Sequence, residues 1–161
     1  MTEESIQQYI EKHGEMVITP VGTSMWPMLR NGKDTVYIVK PCGRLKKYDL
    51  PVYRRIDGKL VMHRVMEVHE DSYTMCGDHQ TVFEPGITDG QIIAVVKGFF
   101  RKEKYVPADD RRYVRYYTFW CRSIRRRKVI LYILDLWKRI ISKICRTVKR
   151  TEPEAKTEKI V

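Results

Sequence analysis

The segment YRRIDGKLVMHRV, Tyr53 to Val65, decides how the middle of this chain folds. An Asp-Gly pair, Asp57-Gly58, separates two runs that contain tyrosine, isoleucine and valine. Asp-Gly favours the short turns whose backbone twist matches that of paired strands. The segment therefore predicts a β-hairpin, with strands near Leu50–Arg54 and Lys59–Val68.

The same pattern extends on both sides of the hairpin, from Glu15 to Phe100, where short runs rich in Val, Ile and Tyr alternate with turn signals. Further strands are predicted near Met16–Pro20, Thr35–Val39, Ser72–Cys76 and Ile92–Phe100, with turns at Asn31-Gly32, Gly77-Asp78, Pro85-Gly86 and Asp89-Gly90. Many short strands with frequent turns predict a mainly β protein, with a small antiparallel, barrel-like fold.

Helical patterns flank this β region. Ile6, Tyr9 and Ile10 have helical spacing and predict a short helix over Glu3–Lys12. Beyond Asp110, apolar residues recur three, four or seven positions apart, which predicts one basic amphipathic helix or two in succession. The predicted apolar stripe consists of Trp120, Ile124, Leu131, Leu134, Trp137, Ile141, Ile144 and Val148.

These patterns divide the chain into four expected regions. An N-terminal helix occupies residues 1–14, and a β domain occupies residues 15–107. A basic amphipathic helical region follows at 108–150, and residues 151–161 are polar and are expected to be disordered.

Charge is distributed unevenly along the chain. The formal net charge is +11, and Lys97–Arg150 contains eighteen Lys or Arg against four acids. This surplus of fourteen leaves the remainder near −3, so a mildly acidic body carries a strongly basic tail.

Such a tail implies an anionic partner. The apolar stripe with its two tryptophans favours an anionic membrane surface over nucleic acid, since no helix-turn-helix or zinc-finger spacing is present. Packing against the β body or a second copy is the alternative.

Cysteine usage and hydropathy bear on location. The cysteines, Cys42, Cys76, Cys121 and Cys145, form no CxxC pair, and the polar N-terminal segment lacks the apolar region of a signal peptide. No window reaches the roughly 18 uncharged apolar residues of a spanning helix. We expect reduced cysteines in a protein that is cytoplasmic or peripheral at the cytoplasmic membrane, with no metal and no cofactor.

Ser24 is the candidate nucleophile, in a turn between two apolar runs. A serine hydroxyl needs a base to take its proton, and His63, His69 and His79 lie in the β region. His63 is predicted to lie inside a strand, which would fix its direction, and Asp78 in the Gly-Asp turn could orient or charge-stabilise an imidazole. Spacing alone leaves structural roles for these residues open.

An ordered set of motifs adds to this pattern. The sequence resembles the signal peptidase I and LexA-type serine peptidase superfamily over about Val17 to Phe100. The six similar segments, in the family's order, are GTSMWPML, RNGKDTVYI, LKKYDLPVYRR, VMHRVMEV, YTMCGDHQ and GQIIAVVKGFF. The base in this superfamily is Lys or His, and His63 in His-Arg-Val is similar to the His-type branch.

The resemblance implies a serine endopeptidase with a Ser24–His63 dyad. Ser24 would attack a peptide carbonyl, its backbone N–H would contribute to the oxyanion hole, and His63 would move the proton. Met25 and Pro27 would shape the turn and the substrate floor. Two acids are implied in supporting roles: Asp78, in the Gly-Asp turn, and Glu84, in about the position of a further acid. The substrate would be a peptide or protein bound in extended form along a strand edge.

Three features depart from the family pattern. Gly22 stands where some relatives carry a Ser or Thr whose hydroxyl adds to the oxyanion hole. Gly-Asp-His-Gln replaces Gly-Asp-Asn-Asn, and no membrane anchor is apparent. Gly22 and the missing anchor favour the alternative function, a catalytically inactive binding module of the same fold that acts on a membrane or an acidic partner, whereas the presence of Ser24, His63 and Asp78 favours the peptidase.

Overall fold

Helices flank a central β region in the computed structural model, which describes residues 3–151. The helices are α1 (Glu3–His13), α2 (Arg111–Cys121) and α3 (Ile124–Thr151). The strands are β1 (Glu15–Ile18), β2 (Thr35–Val39), β3 (Pro51–Arg54), β4 (Leu60–Met62), β5 (Arg64–Val68), β6 (Tyr73–Cys76), β7 (Glu84–Ile87), β8 (Ile92–Arg101) and β9 (Lys104–Pro107).

The predicted mainly β organisation is confirmed, with antiparallel sheets and a short N-terminal helix. One sheet has the strand order β1-β2-β8-β3-β4, with β9 paired to β8, and the other has the order β5-β6-β7. Within residues 3–151 neither sheet closes into a barrel. Sequence reasoning missed β7 and β9, which are four residues long and carry little hydrophobic alternation, and the turn predicted at Pro85-Gly86 is wrong, since both residues lie within β7.

The predicted hairpin forms the end of the larger sheet. β3 and β4 pair antiparallel, and the turn is closed by bonds from Gly58 N to Arg55 O and from Arg55 N to Lys59 O, both 2.9 Å. The predicted strand over Lys59–Val68 is wrong in one respect: the chain leaves the first sheet after β4 and enters the second at β5. His63 therefore lies in the break between two strands and not inside one.

Two apolar clusters form the core. The first joins the turn after β1 to the larger sheet and includes Met25, Val36 and Phe99. The second lies between the sheets and includes Tyr53, Val65 and Tyr73. The chain therefore buries apolar side chains on both sides of the β3–β4 hairpin, which fixes the hairpin's position.

The glycine at position 77 marks a close approach between two loops. A Cβ on Gly77 would lie 2.6 Å from the backbone oxygen of Ser24. The same oxygen accepts a hydrogen bond of 2.8 Å from His79 N. The Gly-Asp turn after β6 thus packs directly against the turn that contains Ser24, and only a residue without a side chain fits there.

The chain divides at Ile124/Arg125 into two compact units. α2 belongs to the first unit, so the β domain predicted at 15–107 continues into the region predicted as a separate helical one. Asp110 caps α2, since its carboxylate accepts from the backbone N–H of Arg112 and Tyr113. The tail predicted to be disordered lies, apart from Thr151, outside the described residues.

Residues 125–151 of α3 make up the described part of the second unit. The predicted apolar stripe is divided between two helices and is unevenly buried: Trp120 of α2 and Leu131 of α3 are buried, whereas Trp137 and Ile141 of α3 are more than half exposed. The spacing could not reveal this, because apolar residues occur on more than one side of the helix. No helix in the described part of the chain combines the length and the apolar character needed to cross a membrane.

Candidate active site

Ser24 and His63, which are 39 positions apart in the sequence, line one cavity. The cavity has a volume of about 230 Å³, and Gly22, Met25 and Asn31 also line it. The segment after β1 supplies Gly22 to the cavity lining, and all three residues of the edge strand β4 also line it. The structure thus brings the predicted nucleophile and the predicted base together.

The turn that carries Ser24 is held by several independent contacts. Asn31 links the two ends of the turn, because its Oδ1 accepts a hydrogen bond of 2.9 Å from the Gly22 N–H. The buried Asp34 carboxylate binds both the backbone N–H and the guanidinium of Arg30. Burial would raise the pKa of Asp34, but its hydrogen bonds with Arg30 and the positive charges of Arg101 and Arg30 together lower that pKa. Asp34 therefore stays charged and fixes the end of the turn.

His63 is held through its ring Nδ1. The Tyr53 hydroxyl donates to Glu84 Oε2 at 2.8 Å and lies 3.1 Å from His63 Nδ1. Because the hydroxyl donates its single hydrogen in the bond to Glu84, it can only accept a hydrogen bond from His63. The ring hydrogen of His63 is therefore assigned to Nδ1. Nε2 then carries the lone pair, which is the arrangement that a base for a serine hydroxyl needs.

The protonation states of these groups agree with that assignment. Burial, aided by the positive charge of Arg55, lowers the pKa of His63 to about 4, so the imidazole is neutral at pH 7. Burial would raise the pKa of Glu84, but hydrogen bonds from Arg55 and Tyr53, together with the positive charge of Arg55, lower that pKa. The pKa of Tyr53 is raised, first by burial and then by Glu84. Tyr53 therefore remains a donor.

No hydrogen bond joins Ser24 Oγ to His63 among the described residues. Catalytic hydrogen bonds in ligand-free enzymes are often long and tighten only when substrate is bound. The Ser24 N–H likewise has no acceptor within the described part of the chain. The Ser24 hydroxyl and the Ser24 N–H are therefore both available to a molecule that enters the cavity.

Asp78 lies beside the site but does not touch the imidazole. It is completely buried, and Arg64 binds both of its oxygens, with Nε–Oδ1 and Nη2–Oδ2 distances of 3.0 and 2.9 Å. The Tyr116 hydroxyl donates to Asp78 Oδ2, and Trp120 Nε1 donates to the Asp78 backbone oxygen. Of the two predicted acids, Glu84 is the one connected to His63, and Asp78 holds the surrounding framework.

The other predicted residues are placed as follows. Met25 is buried beneath the cavity, whereas Pro27, which follows a cis peptide bond, lines a different cavity with Phe99 and Tyr113. The expectation that Pro27 shapes the substrate floor therefore has no geometric support. His69 bonds to Thr74, and the half-buried ring of His79 lies edge-on to Trp26. Neither of these two histidines lines the cavity of Ser24.

Sequence reasoning missed Tyr53, Arg55 and Arg64 as members of the site. Tyr53 and Arg55 lie in and beside a strand where tyrosine and arginine are ordinary residues, so no local signal marks them. Arg64 directly follows the candidate base in the sequence, but its role depends on its complete burial, which only the structure shows. A buried arginine requires an acid, and Asp78 was the available partner.

The described residues contain no group of three or more His, Cys, Asp or Glu that could hold a metal ion. Comparison of the chain with protein-family models, with curated proteins and with solved structures gives no match. The geometry of the site is therefore the basis for any statement about function.

The Arg64–Asp78 pair generates a stability prediction. Asp78→Asn keeps the size of the side chain but leaves the Arg64 charge buried without a counter-ion, which should reduce the free energy of unfolding by about 3 kcal/mol or more. Urea denaturation followed by circular dichroism measures this. The matched control is Asp57→Asn, which removes the exposed partner of Lys59 and should change stability by less than about 1 kcal/mol. Equal effects of the two substitutions would contradict the role assigned to the buried pair.

Proposed function

We propose that this protein is a serine endopeptidase of the signal-peptidase type that uses Ser24 as nucleophile and His63 as base. The observation that carries the proposal is the joint position of both residues in one cavity, with the His63 tautomer set by Tyr53 and Glu84. The resemblance of six ordered motifs to the His-type branch supports the same conclusion and extends it to the type of fold.

The proposed chemistry follows from these positions. The Ser24 hydroxyl oxygen attacks the peptide carbonyl carbon while His63 Nε2 takes the hydroxyl proton. Collapse of the tetrahedral intermediate breaks the C–N bond, and His63 returns the proton to the leaving amine. Water then repeats these steps on the acyl-enzyme. The positive charge that His63 gains is stabilised through Tyr53 by Glu84, whose carboxylate lies 3.7 Å from Nδ1.

The oxyanion hole combines a backbone donor with a side chain that the sequence did not indicate. The Ser24 N–H is one donor. Asn31 supplies the second in this proposal, in place of the hydroxyl that Gly22 lacks. Asn31 Oδ1 is occupied by the Gly22 N–H, so its two Nδ2 protons remain for another acceptor, and Asn31 lines the cavity of Ser24.

The cavity walls suggest how substrate binds. β1 and β4 are the two ends of the strand order in the larger sheet, and the cavity lies against β4 and the segment after β1. An extended peptide placed there can add to a strand edge through its backbone, with pockets for alternate side chains. Val21, Leu29 and Leu60 give these pockets an apolar lining, which suits small apolar side chains near the cleaved bond.

Covalent labelling tests the proposed dyad. A serine-reactive activity probe should label the wild-type protein at Ser24, and both Ser24→Ala and His63→Ala should abolish labelling. Because the pKa of His63 is about 4, the labelling rate should hold from neutral to mildly acidic pH and fall as the imidazole is protonated near pH 4. If wild type labels no better than the two variants, the chain is a non-catalytic binding module of this fold.

The hydroxyl of Tyr53 offers a second test. Tyr53→Phe removes the acceptor of His63 Nδ1–H and the link to Glu84, so kcat for peptide hydrolysis should fall by about 10²-fold or more while KM changes little. The matched control is Tyr73→Phe, since Tyr73 is also completely buried and its hydroxyl also bonds to a carboxylate, that of Asp89. A similar loss of kcat in both variants would mean that Tyr53 acts only through packing.

The role of Asn31 can be separated from its structural bond. Asn31→Asp keeps an oxygen for the Gly22 N–H but replaces the Nδ2 donor, so the thermal midpoint should be retained while kcat falls by about 10²–10³-fold. Asn31→Ala removes both functions and should lower both quantities. Full activity of Asn31→Asp would rule out Asn31 as an oxyanion donor and leave the Ser24–His63 proposal intact.

A further inference from the structure

α3 presents an apolar surface to solvent, although it is the most basic element of the chain. We define the exposed stripe by five side chains that are each 42–59% exposed: Val129, Ile133, Leu136, Trp137 and Ile140. At 100° per residue these positions fall within an arc of about 100° on the helix. Tyr132 and Ile141, which are also exposed, lie on either side of it.

Positive charge borders this stripe. The sequence of α3 contains ten Lys or Arg and a single acid, Asp135. Arg125, Lys128 and Arg139 are exposed and lie beside the arc on one side. The same surface therefore combines an apolar face with a cationic margin, and an occupant has to match both.

From this combination we propose that α3 lies in the interface of an anionic lipid bilayer, with the exposed stripe inserted among acyl chains and the basic margin at the phosphates. Helices of this kind bind by apolar burial together with attraction to anionic headgroups, and Trp at the boundary is favourable. The proposal is independent of the peptidase reaction, since it uses only residues of α3.

Two other occupants match the surface less well. A second copy packed through the stripe would bring two strongly cationic helices together, and the like charges would repel each other. Nucleic acid would satisfy the charges but would leave the aliphatic side chains of the stripe, such as Ile133 and Leu136, without an apolar environment. The bilayer interface satisfies both requirements.

Co-sedimentation of the full-length protein with vesicles tests the proposal. Binding should be strong to mixed phosphatidylcholine and phosphatidylserine vesicles, weak to phosphatidylcholine alone, and reduced by high salt.

The double variant Ile133→Ser/Ile140→Ser should bind at least tenfold more weakly because apolar burial is lost. Lys128→Gln/Arg139→Gln should lose about twenty-fivefold, at about fivefold per charge. The matched control, Lys33→Gln/Lys59→Gln, removes two exposed cations outside α3 and should bind as wild type does.

Tryptophan fluorescence reports the position of the stripe directly. Lipids brominated in the acyl chain should quench the tryptophan fluorescence of the wild-type protein. The variant Trp137→Phe, which keeps Trp26 and Trp120, should lose that quenching. Several results would overturn the proposal: equal sedimentation with neutral and anionic vesicles, absence from both pellets, or equal loss in the control double variant. Concentration-dependent self-association or nucleic-acid binding without lipid binding would assign the surface to one of the other occupants.

Discussion

The buried ion pair between Arg64 and Asp78 holds the two halves of the site in register. Arg64 directly follows His63, and Asp78 directly precedes His79, whose backbone N–H binds the Ser24 carbonyl oxygen. Arg64 is therefore next to His63, which lines the cavity, and Asp78 is next to His79, which is bonded to the turn that carries Ser24. A shift in the pair would move the proposed base and the proposed nucleophile relative to each other.

Such a pair is costly to bury, and α2 provides much of the compensation. Removing each charge from water costs several kcal/mol, and the attraction within the pair offsets this cost only when further hydrogen bonds satisfy the remaining polar groups. Tyr113 and Tyr116 of α2 contribute hydroxyls to the guanidinium and the carboxylate, and the Tyr48 carbonyl accepts from Arg64. The tyrosine-rich helix that follows the β region is therefore part of the framework of the site, which explains why it belongs to the first compact unit.

The parts of the structure that the sequence could predict are those set by local rules. Turn chemistry and the alternation of apolar and polar residues predict the Asp57-Gly58 hairpin, β2 and the neighbouring antiparallel strands. The crossing of the chain between sheets at His63 does not, because a run of apolar and polar residues looks the same whether or not the strand changes its partner. Ser24 and His63 could be named from motif order, whereas their common cavity depends on how β4 and the segment after β1 meet.

The acid of the site illustrates the limit of such reasoning in physical terms. A Gly-Asp turn near a histidine suggests Asp78 as the imidazole's partner, but the neighbouring arginine has the stronger claim on a buried carboxylate. Glu84 acts instead through the Tyr53 hydroxyl. The Glu84 carboxylate lies 3.7 Å from Nδ1 and acts to raise the pKa of the imidazole, while the Tyr53 hydroxyl, which contacts both groups, fixes the tautomer. Burial is the main cause that lowers the pKa of His63 and keeps the imidazole neutral although an acid lies nearby, and the positive charge of Arg55, which also binds Glu84, acts in the same direction.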